Sequence, residues 1–306
     1  MQSLIFFGSD QYSAVVLSAL ILSGDSRKIT VVTDPREGGT SVDKLAKEHN
    51  LLVSYYPDFD RSLITENTLG LCASFDHLIP AEIIKLFDGN LYNLHPSLLP
   101  QYRNVSPVQY AIALGDTETG ITLFRISTGI DNGEIISQAA EPILPDDTTP
   151  TLTARLFKLG AQLFQEHLNT PGVKGASHSR SVIPLGVPLV FTRRLTRDSG
   201  FVEWPVLQKL LKNEPIDESA TANEFLRLRL KKIVSLDLII DNWLLVINDL
   251  IRSLSPWPGI WSTVPTKKGN LRISLTSHTG YVIPDILISG KPKPISYLDF
   301  EKYYLQ

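Results

Sequence analysis

Ser3-Leu4-Ile5-Phe6-Phe7-Gly8-Ser9-Asp10 places four consecutive large apolar residues before a glycine and two good helix-capping side chains. A short apolar run without alternation suits a strand buried on both faces, and glycine followed by Ser or Asp suits a turn into a helix. The expectation is a strand at 3–7, a cap at Ser9 or Asp10 and a helix over 14–22, the opening of a β-α-β unit.

The same grammar recurs downstream. Residues 29–32 read as a strand ending at Thr33-Asp34-Pro35, with a helix over 42–49 and an extended run at 51–55. Residues 69–74 repeat the pattern, Pro80 begins a helix over 81–87, and residues 91–95 form a further strand. Short apolar strands alternating with helices predict an α/β fold with a doubly wound, mostly parallel sheet. Beyond residue 115, two β-rich runs at 121–126 and 134–143 flank a Gly-, Asn- and Asp-bearing loop and predict an antiparallel hairpin. A helix over 151–168 follows. Gly, Pro and Ser crowd 171–200, expected as a linker between a catalytic domain at 1–170 and a smaller, mostly β domain at 201–306.

Composition narrows the class. The chain has 306 residues, 43% hydrophobic and 20% charged, as a globular protein with real cores requires. Its single cysteine, Cys72, lies in an apolar run and reads as a small buried hydrophobe, which excludes an intrachain disulfide and a multi-thiolate metal site. The apolar stretch 234–251 is interrupted by Asp237, Asp241 and Asp249, so no membrane span is expected. Residues 1–195 carry 15 Lys/Arg against 20 Asp/Glu, and residues 196–306 carry 14 against 12. Any nucleic-acid contact must therefore be local rather than a general basic field. Gly8 alone does not make a dinucleotide fingerprint, and His49, His77, His167, His178 and His278 show no metal-ligand spacing, so neither a nicotinamide cofactor nor a metal is expected.

The chemistry concentrates in Leu91-Tyr92-Asn93-Leu94-His95-Pro96-Ser97-Leu98-Leu99-Pro100. Asn93 and His95, two apart at a strand's end, share one face and reach the sheet edge where ligands of open α/β sheets bind. Taken alone the pair also fits a histidine that hydrogen-bonds a neighbouring loop, and Asp131, in Gly129-Ile130-Asp131-Asn132-Gly133, also fits a plain turn carboxylate.

Together, Asn93-x-His95-x-Ser97-Leu98-Leu99-Pro100 and the later Asp131 loop resemble the signature of the folate-dependent formyltransferases. Arg103, Ser106-Pro107-Val108, Gly115-Asp116-Thr117-Glu118-Thr119-Gly120-Ile121-Thr122, and Ile251-Arg252-x-Leu254-x-Pro256-Trp257-Pro258-Gly259-x-Trp261 narrow the resemblance to the methionyl-tRNA formyltransferases. The opening Phe6-Phe7-Gly8-Ser9-Asp10 agrees. The resemblance implies 10-formyltetrahydrofolate as co-substrate, no metal, and a methionine-charged initiator tRNA as partner, with no obligate protein partner. It implies catalysis by Asn93, His95 and Asp131: Asn93 as a donor to an oxyanion, His95 as a second donor, cationic in the transition state, that helps protonate the folate nitrogen, and Asp131 as support for the imidazolium and acceptor of the amine proton. It further implies a folate site lined by Ser97, Leu98, Leu99 and Pro100, with Phe75, Leu78 and Pro80 near the pterin. Arg36, Arg252, Lys267 and Lys268 are the candidate tRNA contacts, the C-terminal domain being expected as barrel-like and tRNA-binding.

Two other readings stand beside this one. The same three residues would serve a formyltransferase for a small amine such as an amino-sugar nucleotide, and a homologue without activity would serve as an RNA-binding module. The Phe-Phe-Gly-Ser-Asp opening and His-Pro-Ser-Leu-Leu-Pro form resemble organellar members, which implies a mitochondrial matrix location, otherwise a cytoplasmic one. No presequence is visible before the first expected strand.

Overall fold

The structure is a computed structural model that describes residues 3–24, 27–169, 189–236, 240, 242–267, 269–276 and 284–305. The chain opens with β1 (Ser3–Phe7), α1 (Gln11–Leu22), β2 (Lys28–Thr33), α2 (Ser41–Glu48) and β3 (Leu52–Tyr55). It continues through β4 (Thr68–Ala73), α3 (Ala81–Leu86), β5 (Leu91–His95), α4 (Pro107–Ala113), β6 (Glu118–Arg125), β7 (Ile135–Pro142) and α5 (Thr149–Asn169). Helices α6 (Trp204–Leu211), α7 (Glu224–Ser235) and α8 (Trp243–Leu254) then precede β8 (Trp261–Thr266), β9 (Gly269–Leu275) and β10 (Ile286–Ile288).

Two compact units result: Met1–Asn104 with Thr119–Pro142 and Thr153–Val182, and Val105–Glu118 with Ile143–Leu152 and Ile183–Gln306. Of the linker expected at 171–200, residues 171–188 lie outside the described residues, and 189–200 belong to the second unit.

The first unit is built on a seven-stranded sheet of order β3-β2-β1-β4-β5-β6-β7. β1 pairs in parallel with β2 and with β4, and β4 with β5. Leu4 to Phe7 are almost wholly buried, as a strand covered on both faces requires. β6 runs antiparallel to β5. The connection 126–134 is too short for a parallel crossover, so β6 and β7 form the expected hairpin.

Strand order reverses between β1 and β4, which opens a crevice beyond their carboxyl ends. Here Asp10 caps α1, accepting from the Tyr12 and Ser13 amides. Its other oxygen accepts from Ser74 Oγ at 2.7 Å, and Ser13 Oγ donates to Ala73 O at 2.7 Å, so the ends of β1 and β4 are fastened together. A Cβ at Gly8 would lie 2.5 Å from Ser13 Cβ, so that glycine serves the close packing of strand on helix. On α5, a Cβ at Gly160 would approach Ile121 and Leu94, and Gln165 Nε2 donates to Ala19 O at 3.1 Å.

In the second unit, β8, β9 and β10 form an antiparallel sheet of order β10-β9-β8. Helices α6 to α8 occupy most of residues 204–254, which the reading of this half as mostly β did not include. Salt bridges organise them: Arg229 Nη1 reaches Asp249 Oδ2 at 2.6 Å and donates to Ala113 O at 3.1 Å, while Lys232 pairs with Asp116. These bonds draw residues 105–118 into this unit. No described helix is long and apolar enough to cross a membrane.

Gly120→Ala would set a Cβ 2.3 Å from the main-chain oxygen of Ala139 and 2.5 Å from Leu98. Overpacking of this kind costs about 1–3 kcal/mol, to be read as a lower urea midpoint. Cys72 is buried and its thiol is pushed well above its usual range by that burial. The native protein should leave a thiol reagent unreacted, with one equivalent consumed on unfolding.

Candidate active site

β5 brings Asn93 and His95 to the carboxyl edge of the parallel strands, with Asn93 opposite Cys72 on β4 and His95 opposite Thr122 on β6. His95 is 5% exposed and Asn93 half-buried. His95 Nε2 lies 2.8 Å from Tyr102 O, and because a carbonyl only accepts, that nitrogen carries a proton and donates it. Nδ1 is then the nitrogen turned to Asp131, 3.5 Å from Oδ2. That separation exceeds a formed hydrogen bond, and contacts of this kind commonly tighten only when substrate binds.

Asp131 is itself fixed. Its Oδ2 accepts from the Asn104 amide at 2.7 Å, and Arg103 Nη2 donates to the neighbouring Ile130 O. Tyr102, Asn104 and Asp131 all have positive φ, at 56°, 81° and 43°. Such conformations cost about 1–3 kcal/mol each in non-glycine residues and persist where surroundings over-determine them. The strain sits on the residues that hold the imidazole and the carboxylate. Beside them, the Asn93 side-chain amide has no hydrogen-bond partner among the described residues, so a donor stands unspent at the edge of the site.

The three residues expected as catalytic therefore share one site, with one difference in detail. His95 was expected as a second donor to an oxyanion, whereas its Nε2 is engaged with Tyr102 O. The Asn93 amide is the donor beside it that has no partner among the described residues.

Thr122, quoted above only within a motif of the resemblance and given no role there, organises the loop after β5. Its hydroxyl donates to Ser97 O at 2.6 Å and accepts from Leu99 N at 3.1 Å and Gln138 Nε2 at 2.9 Å. Gln138 also donates to Leu99 O at 2.9 Å. The sequence signals were its place at the end of the Gly115 to Thr122 motif and a threonine within an apolar strand. Ser97, Leu98 and Leu99 turn inward: all three are buried, and Ser97 Oγ donates to Gln101 O at 2.6 Å. Of the four residues expected to line a folate site, Pro100 alone is exposed.

Phe75 is half-buried against Phe7 and Tyr56, with ring centroids 5.5 and 5.4 Å apart. Leu78 is 77% exposed and its carbonyl accepts from Tyr56 OH, while Pro80 occupies the cap position of α3. His77 stacks on Tyr56 and pairs with Asp34, a structural role. Arg36 is half exposed and bridges Asp34 and Asp76 at 3.2 and 2.6 Å. Arg252, a candidate tRNA contact, is held by internal partners: it donates to Leu144 O and Asp147 O and pairs with Asp249 at 2.6 Å. Lys267 is exposed, and Lys268 lies outside the described residues.

Thr122→Val keeps the shape and removes the hydroxyl. Each buried group left unpaired costs about 1–3 kcal/mol, so a clear drop in the urea midpoint is expected, with turnover falling as the loop beside His95 loosens. Unchanged stability would remove Thr122 from this role.

The formyl transferase family matches residues 41–168. A methionyl-tRNA formyltransferase of Enterococcus faecalis is 30% identical over 228 residues, covering 70% of this chain and 72% of that relative. One from Limosilactobacillus fermentum is 35% identical over 182 residues, covering 55% and 58%, so the match spans little more than half of that relative's length. Among solved structures, a sugar 3N-formyl transferase in the presence of dTDP and 5-N-formyl-THF aligns with a TM-score of 0.51 at 18% identity, over 95% of this chain and 99% of that one, a likeness of fold. On the Enterococcus relative's identity and coverage, the chain belongs to the methionyl-tRNA formyltransferase family.

Proposed function

We propose that this protein transfers the formyl group of 10-formyltetrahydrofolate to the amino group of methionyl initiator tRNA, in preparation for translation initiation. The observation that carries the proposal is the Asn93 amide, without a partner among the described residues, beside an imidazole bracketed by Tyr102 O and Asp131.

Formyl transfer requires a neutral amine to attack the formyl carbon. A carbon–nitrogen bond forms, the carbonyl oxygen gains charge, and the carbon–nitrogen bond to the folate breaks after its nitrogen takes a proton. The Asn93 side chain donates to the developing oxyanion. Asp131 accepts the proton that the attacking amine loses, and His95 Nδ1, facing that carboxylate, relays a proton to the folate nitrogen, which leaves neutral. The Tyr102 carbonyl fixes which imidazole nitrogen takes part.

The test is formyl transfer from 10-formyltetrahydrofolate to methionyl initiator tRNA, run beside free methionine and amino-sugar nucleotides. Asn93→Ala should lower kcat about a hundredfold or more, the usual cost of losing an oxyanion donor. His95→Ala and Asp131→Ala should be similarly impaired while keeping the native circular dichroism. Near-native turnover of a folded Asn93→Ala protein would overturn the assignment. Transfer to small amines alone would keep the chemistry and discard the tRNA.

A further inference from the structure

The transfer chemistry makes no use of the outward face of the sheet in the second unit. Alternation along its strands sends Ser262, Val264, Ile273, Leu275, Ile286 and Ile288 into the core, all buried. The other face presents Trp261, Ser274 and Leu287 in one cross-strand row, with Arg272 two residues before Ser274 on β9. These residues, with the Trp257-Pro258 turn, Arg197 and Lys291, line a cavity of about 410 Å³.

Three features of the cavity point to one class of ligand. Its lining holds three cations, Arg197, Arg272 and Lys291, and no carboxylate, and none of the three pairs with an acidic side chain among the described residues. Trp257 is 56% exposed, a large indole left open to solvent on a turn that is tightly held: Gly259 N donates to Leu254 O at 2.8 Å, and a Cβ at Gly200 would meet Gly259 O at 1.8 Å. Trp261 is already organised, with the Arg272 guanidinium 4.0 Å from its ring centroid and its Nε1 donating to Arg197 O at 3.0 Å. That arrangement holds Arg272 in place with its edge available to an anion.

Unneutralised cations alone would suit any anion. An exposed flat ring beside them asks for an anion that also carries an aromatic group, and the volume falls within the range of small-molecule sites. We propose that this cavity binds a nucleoside phosphate, with its base on Trp257 and its phosphate among Arg197, Arg272 and Lys291. The ligand is either a free nucleotide or an unpaired nucleotide within an RNA chain, and only the second form rests on the tRNA reading above.

Binding to the full chain is measured by calorimetry with adenosine 5′-monophosphate, adenosine, inorganic phosphate, a short single-stranded RNA and the same RNA as a duplex. The monophosphate should bind more tightly than adenosine or phosphate, and more weakly as salt rises. Trp257→Ala and Arg272→Gln should each weaken it about tenfold or more, the usual scale for a lost base–aromatic contact. Lys291→Gln, an exposed change, serves as a further variant, and circular dichroism verifies folding. Trp257-dependent binding of single-stranded RNA beyond that of the monophosphate identifies a nucleotide of an RNA chain, and binding of the monophosphate alone identifies a free nucleotide. The proposal is overturned if neither binds, if the monophosphate binds no better than adenosine or phosphate, or if folded variants bind unchanged. No formyl donor is present, so failure here and failure of formyl transfer are separate results.

Discussion

A parallel sheet has to be covered on both faces, and that requirement shapes the first unit. β1 lies between β2 and β4 with Leu4 to Phe7 buried, so the chain must leave along one side, return, and build outwards on the other. The reversal opens a crevice at the carboxyl ends of β1 and β4. Asp10, Ser13 and Ser74 close the loops around it with hydrogen bonds to side chains and main-chain carbonyls. The next strand, β5, then delivers Asn93 and His95 to the same edge, where a side chain can reach a ligand without breaking the ladder.

What surrounds those two residues trades local strain for orientation. Tyr102, Asn104 and Asp131 adopt left-handed backbone conformations, and each presents a group to the site: a carbonyl to His95 Nε2, an amide to the Asp131 carboxylate, and the carboxylate itself. Thr122 holds the loop between them through one donated and two accepted hydrogen bonds. A hydroxyl can make all three because it is donor and double acceptor at once, which no aliphatic side chain of its size can copy.

Charge plays different parts in the second unit. Arg229, Lys232 and Arg252 are spent inward on Asp249, Asp116 and main-chain carbonyls, and these bonds organise the helices. Arg197, Arg272 and Lys291 line a cavity that contains no acid. The two groups are indistinguishable by residue type, and only their partners tell a strut from a candidate ligand contact.

The sequence by itself determined the order and kind of the elements of the first unit, because apolar runs of strand length, capping residues and glycines act within a few residues of where they stand. β5 ends at His95 as its pattern requires, Asp10 caps α1, and α5 begins within two residues of its expected start. The Asn93-x-His95 spacing and the Asp131 loop were legible for the same reason. Left to the tertiary structure were the strand order, the tautomer imposed on His95 by Tyr102 O, the three bonds of Thr122, the inward turn of Ser97 to Leu99 and of Arg252, and the helices at 204–254. Each of these depends on a partner remote in sequence or on burial against another element, and a local pattern carries no record of which remote groups will come to lie opposite it.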